Sequence, residues 1–143
     1  MIVVDANLLI YSYDAKSTDH KKSAAWLEAA LSGKEAVGLP WPCICAFVQV
    51  VTNRRLAGMR VALDAALGAV EEWLQSPNVQ ILVPGERHWS VFRRMVVEGQ
   101  APGALVSDAE IAALTIEYGG VLHTADRDFA RFPGLRWVNP LNV

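Results

Sequence analysis

The chain has 143 residues, of which 52% are hydrophobic and 20% charged, with a formal net charge of −2. A domain of this size buries ~68–70% of the surface that its unfolded chain exposes, so it needs no disulfide or metal to hold a core. The composition excludes a disordered or solvating segment, and the balance of 13 basic against 15 acidic residues excludes a strongly basic nucleic-acid binder. The basic side is dominated by Arg, which suits bidentate phosphate contacts better than Lys does.

Met1-Ile-Val-Val-Asp5 places an acid where a secretory leader would be basic or apolar, and no apolar run approaches the ~20 residues of a membrane span. Ile2-Val3-Val4 is short and β-branched, as in a strand covered on both faces. Leu8 to Tyr11 reads as a short helix. Asp19 is placed to cap a helix from His20 to Leu31 that Gly33 ends. Ala36 to Leu39 reads as a second strand. The only cysteines, Cys43 and Cys45, are two residues apart and read as small buried hydrophobes of a reduced cytoplasmic protein. Pro42 fits the first turn of a helix running to Asn53, with Ile44, Phe47, Val48 and Val51 on its apolar face.

A loop carrying Arg54, Arg55 and Arg60 follows, then a helix from Leu63 to Leu74. Val79 to Val83 reads as a strand, Glu86 to Glu98 as a helix and Gly99 to Gly103 as a loop. Ser107-x-x-Glu110 matches a capping box opening a helix to Tyr118, with Asp108 in its first position. Val121 to His123 and Leu135 to Val138 complete the strands. Strands alternating with helices predict one α/β domain, residues 1–143, with a mostly parallel sheet of four to five strands and helices on both faces.

In open α/β sheets, ligands bind beyond the carboxyl ends of the strands. Asp5 follows the first strand there, and Asp126 and Asp128 follow the strand ending at His123. Asp108 shares a helix face with Ile111 and Thr115, so when Ile111 packs on the sheet Asp108 points over its edge. Each acid alone could cap a helix or complement its dipole, an effect of ~0.3–1 kcal/mol. Two carboxylates at hydrogen-bonding range repel by ~1 kcal/mol in water and ~4 kcal/mol at an effective dielectric of 20. Several at one crevice predict a cation among them. An all-oxygen set favours Mg²⁺ or Mn²⁺, which commonly meet phosphates.

Asp5-x-Asn7-Leu-Leu-Ile-Tyr, Ser107-Asp108-Ala-Glu-Ile-Ala-Ala-Leu and Thr124-Ala-Asp126-Arg-Asp128-Phe129 resemble the motifs of PIN-domain ribonucleases. Across essentially the whole chain, the sequence resembles VapC-type toxins of toxin–antitoxin modules. Leu39-Pro-Trp41, Val51-Thr52-Asn53-Arg54, Pro84-Gly85-x-x-His88-Trp89 and Phe132-Pro-Gly-Leu-Arg136-Trp137 look like one branch of them.

The resemblance implies an α/β/α fold and cleavage of RNA with Mg²⁺ or Mn²⁺. By position it makes Asp5, Asp108 and Asp126 metal-binding acids, Asp128 a supporting acid, and Asn7 and Thr124 polar neighbours. It also implies a cognate antitoxin and a homodimer. Arg54, Arg55, Arg60, Arg127 and Arg131 are candidates for RNA contact. Phe47 aligns with a Glu of the wider family, which leaves a catalytically weak RNA-binding module as the alternative. A phosphatase-like protein with Asp5 as nucleophile ranks last, because Asn7 stands where such enzymes place a second Asp. Trp41, Trp73 and Trp89 are expected in apolar patches for association, and His123 as a buried, hydrogen-bonded strand residue.

Overall fold

The computed structural model describes residues 1–53, 55 and 61–142. Five strands, β1 (Ile2–Val4), β2 (Val37–Pro40), β3 (Val79–Leu82), β4 (Val121–His123) and β5 (Trp137–Val138), form one sheet in the order β3-β2-β1-β4-β5. Every pairing is parallel. β1 lies in the middle, with Ile2 opposite Val37 on one side and Val121 on the other. Its Val3 and Val4 are fully buried, which is why this strand reads as an unbroken apolar run.

Six helices connect the strands: α1 (Ala6–Tyr11), α2 (His20–Ser32), α3 (Trp41–Thr52), α4 (Leu63–Gln75), α5 (His88–Glu98) and α6 (Leu105–Glu117). Parallel crossovers are right-handed. The steps from β1 to β2 to β3 therefore put α1–α4 on one face, and the return from β3 to β4 puts α5 and α6 on the other. The packing agrees: α1 contacts α2 and α3, α3 contacts α4, and α5 lies along α6. The result is three layers.

At one end the α5–α6 pair is pinned by His88 Nδ1, 2.5 Å from Glu117 Oε2, and by the Gly85 N–H donating to Glu117 Oε1 at 3.1 Å. Among the described residues no helix is long and apolar enough to cross a membrane.

Strand order reverses between β1 and β4. Connections leave β1 toward β2 on one side, while β4 and β5 lie on the other. This switch point opens a crevice beyond the carboxyl ends of the two strands, and Asp5 and Thr124 are the residues that directly follow them.

Two side-chain caps expected from the sequence are not formed. The last long helix starts at Leu105, not Ser107, and Ser107 makes no capping bond. Gly103 takes a left-handed φ of +62°, open to Gly at little cost. The turn it forms supplies Pro102 O and Gly103 O to the N–H groups of Leu105 and Val106. Backbone carbonyls thus do the work expected of a side chain. Asp19 does precede α2, but its side chain makes no cap bond either.

Candidate metal centre

Asp5 sits where β1 gives way to α1, and it is buried. Its Oδ1 accepts from the Ala6 N–H at 2.8 Å, capping α1. The Cys43 thiol, at the start of α3, approaches the same oxygen at 3.9 Å. Oδ2 accepts from the Thr124 hydroxyl at 2.7 Å. That hydroxyl has one proton and gives it to Asp5. It must therefore act as acceptor toward the Asp126 N–H at 3.0 Å and Asn7 Nδ2 at 3.3 Å. This fixes the orientation of the Asn7 amide. Its Oδ1 is left buried with no hydrogen-bond partner among the described residues.

Asp126 begins the short 3₁₀ turn Arg127–Arg131, and its Oδ1 accepts from the Asp128 N–H at 2.9 Å. Asp108 reaches the same place from the first turn of α6. One carboxylate oxygen from each of Asp108, Asp126 and Asp128 lies within 4.8 Å of the others. The electrostatics record the crowding. Burial pushes the Asp108 carboxyl up to about 6, the negative charges of Asp126, Asp5 and Asp128 push in the same direction, and Arg131 opposes them. Asp5 is also raised, first by burial, with the Thr124 and Ala6 hydrogen bonds opposing and the charge of Asp126 adding.

An all-oxygen donor set of this kind fits a hard divalent cation, not zinc. The unpartnered Asn7 Oδ1 is a further acceptor suited to a water of such an ion. The residues present therefore fit Mg²⁺ or Mn²⁺.

The profile of the PIN domain family matches residues 2–135. The chain belongs to the PIN domain family. It is 38% identical over 140 residues to Ribonuclease VapC37 of Mycobacterium tuberculosis, covering 98% of this chain and 97% of that protein. Identity to Ribonuclease VapC33 of the same organism is 33% over 141 residues, covering 99% of both. Among solved structures it superposes on a chain from VapBC2 of Rickettsia felis bound to a promoter DNA fragment, with a TM-score of 0.71 at 15% identity and 97% and 98% coverage. A chain from VapBC-1 of nontypeable Haemophilus influenzae gives a TM-score of 0.67 at 19% identity, with 98% of each chain covered. At such identities the superpositions speak for the fold.

Within this PIN domain, the expected acids do not fall into one equal set. Asp108, Asp126 and Asp128 form the tight group, while Asp5 lies deeper, tied to Asn7 and Asp126 through Thr124. Glu110, read as the partner of a capping box, has no such role because the box is not formed. Its charge instead reaches the Cys43 thiol. Phe47, aligned with a family Glu, is fully buried, with its ring centroid 4.7 Å from that of Trp73 and 5.4 Å from that of Tyr13. The α3 side chain that meets Asp5 is Cys43, one helical turn before Phe47.

Three further readings are corrected. Cys45 is exposed, because positions 43, 44, 47 and 51 take the inward face of α3. Trp73 belongs to the core, while Trp41 and Trp89 are exposed. His123 is only half-buried: it stacks on Trp26 and its Nδ1 lies 3.1 Å from Val121 O, with burial lowering its pKa.

Arg127 is exposed beside the acids and Arg55 is exposed after α3. Arg54 and Arg60 lie outside the described residues. Arg131 is bound to backbone carbonyls. Sequence reasoning missed Cys43 as the floor of the site, although its place just after the carboxyl end of β2 was a usable signal.

Proposed function

We propose that this chain is a metal-dependent endoribonuclease acting as the toxin of a toxin–antitoxin pair. The observation that carries the reading is the meeting of Asp108, Asp126 and Asp128, beside buried Asp5, at the switch point of a PIN fold. Relatives that span nearly the whole chain are named VapC ribonucleases, and the superposed chains come from VapBC structures, which supports RNA as substrate and a cognate antitoxin as partner. The family likeness also favours a homodimer working in the cytoplasm.

Asp5, Asp108 and Asp126 would hold Mg²⁺ or Mn²⁺. When bound, the ion supplies activation of a water and charge neutralisation at the leaving oxygen of a phosphodiester. The chain's own groups do the rest. Thr124 favours the ionised form of Asp5 against its burial and aims the carboxylate by donating to Oδ2. Asp128 accepts from and orients the attacking water. Asn7 presents its free carbonyl oxygen to the waters around the site. Arg55 and Arg127, with Arg54, contact RNA phosphates. Attack by water leaves a 5′-phosphate and does not use the 2′-hydroxyl.

Phe47 stands in the core below the site, so its identity gives no ground for a binding-only module. An Asp5 nucleophile is also disfavoured, because Asn7 stands where such enzymes place a second Asp.

The test is RNA cleavage by the purified protein with Mn²⁺, with EDTA, and as Asp5→Ala and Asp126→Asn. We expect cleavage only by the metal-loaded wild type, with new 5′-phosphate ends. Undiminished cleavage by Asp5→Ala in a clean preparation overturns the reading.

A further inference from the structure

The acids come from two separate pieces of chain: Asp108 from α6, and Asp126 and Asp128 from the turn after β4. Something must set the distance between them. Arg131 closes that turn, and its Nη1 donates to two backbone carbonyls at the end of α5, Gln100 O at 2.8 Å and Gly99 O at 3.2 Å. These belong to the connection that leads into α6. Unpaired carbonyls at a helix C-terminus carry the negative end of its dipole, so a guanidinium there is favourable.

The neighbouring side chain reinforces the contact. Phe132 is buried, and a Cβ on Gly99 would lie 2.7 Å from its ring and 2.6 Å from Met95 O. Gln100 is held at a positive φ of 48°, a conformation a non-Gly residue keeps only when its surroundings impose it.

We infer that Arg131 is a positioning residue, clamping the α5–α6 connection to the turn of Asp126 and Asp128 and so setting the spacing of Asp108 from them. The inference rests on the metal-site reading above. It also commits Arg131 Nη1 to the protein's own backbone carbonyls in place of an RNA phosphate.

The sign of the effect separates this role from plain electrostatics. Arg131 is a positive charge near an acidic cluster, and it acts on Asp108. Removing a like charge strengthens cation binding if charge alone matters. Removing a clamp weakens it. Groups that orient metal ligands without touching the metal commonly contribute about tenfold or more in affinity.

The experiment is Mn²⁺ titration by calorimetry and electron paramagnetic resonance on full-length wild type, Arg131→Met and Arg131→Lys, with metal-free melting of each. We expect Arg131→Met to fold and bind Mn²⁺ about tenfold more weakly. Unchanged or tighter binding by folded Arg131→Met overturns the inference. If Arg131→Met does not fold, Arg131→Lys decides. It keeps the charge but not the two-carbonyl bridge, so a loss of about tenfold or more supports the clamp and a smaller loss or wild-type affinity overturns it. Failure of both variants to fold also overturns it, in favour of a role in stability alone. Wild type that binds no Mn²⁺ is a different result: it overturns the metal reading itself.

Discussion

The Thr124 hydroxyl joins Asp5, 119 residues earlier in the chain, to Asp126, donating to the first at 2.7 Å while accepting from the backbone N–H of the second at 3.0 Å. One rotor thus locks the ends of the two central strands and fixes which way the Asp5 carboxylate faces.

Thr124→Val keeps the shape and removes three hydrogen bonds at once. Leaving buried polar groups unpaired costs about 1–3 kcal/mol, and we expect a loss in the upper part of that range by urea unfolding. The Thr124 bond lowers the pKa of Asp5, so its removal leaves Asp5 harder to ionise, and Mn²⁺ affinity falls as well. Thr124→Ser keeps the hydroxyl and is expected to recover most of the affinity. Equal affinity in wild type and Thr124→Val would show that the hydroxyl is only structural.

Phe47 fills the space between Tyr13 and Trp73. Truncating a fully buried Phe to Ala costs about 3–5 kcal/mol, and Phe47→Ala is expected to unfold at correspondingly lower urea. Phe47→Glu asks whether this position can act as a ligand. A carboxylate placed in the core is expected to unfold the protein rather than tighten Mn²⁺ binding. A folded Phe47→Glu variant with improved Mn²⁺ affinity would put residue 47 at the site after all.

The extent to which the site could be read from the chain follows from what fixed each part. β1 and β4 were legible because strands covered on both faces are simply apolar, and the acids after them follow from the strand-end rule. The start of α6 was not, because a side-chain pattern at Ser107 competed with a backbone turn at Gly103 whose carbonyls are silent in sequence. Asp5 and Thr124 were found as separate candidates, yet the hydroxyl that links them is a tertiary fact. Arg131 looked like any exposed Arg. Only its carbonyl partners, 31 and 32 residues away, show its use. Cys45 was misplaced because two Cys two residues apart on a helix share composition but lie on different faces.

Arg127 is exposed on the turn that carries Asp126 and Asp128. Each phosphate neutralised on single-stranded RNA adds about 0.7 to the slope of log affinity against log salt. Arg127→Met is expected to lower that slope by about 0.7, measured by fluorescence anisotropy on the Asp126→Asn background to prevent cleavage. An unchanged slope would show Arg127 to be a solvated surface residue.

The crowded acids also predict how stability responds to pH. Asp108 titrates at about 6 in the folded protein, against 3.8 as the ordinary value. The folded state therefore holds the proton more tightly, and stability from this group is complete below 3.8 and lost as pH rises through about 6. Asp5, also raised, acts in the same sense. With EDTA, the unfolding free energy from urea titration should fall as pH rises across this window, by about 1 kcal/mol for Asp108, since solvent screens a half-exposed carboxylate.

Saturating Mn²⁺ reverses the slope. The ion binds the deprotonated carboxylates of the folded state, so protonation now opposes folding and stability rises with pH. Asp108→Asn should be more stable than wild type at neutral pH without metal, show a flatter pH profile, and gain little from Mn²⁺. A wild-type slope of the same sign with EDTA and with Mn²⁺ would mean that the ion, if it binds, does not bind through these carboxylates.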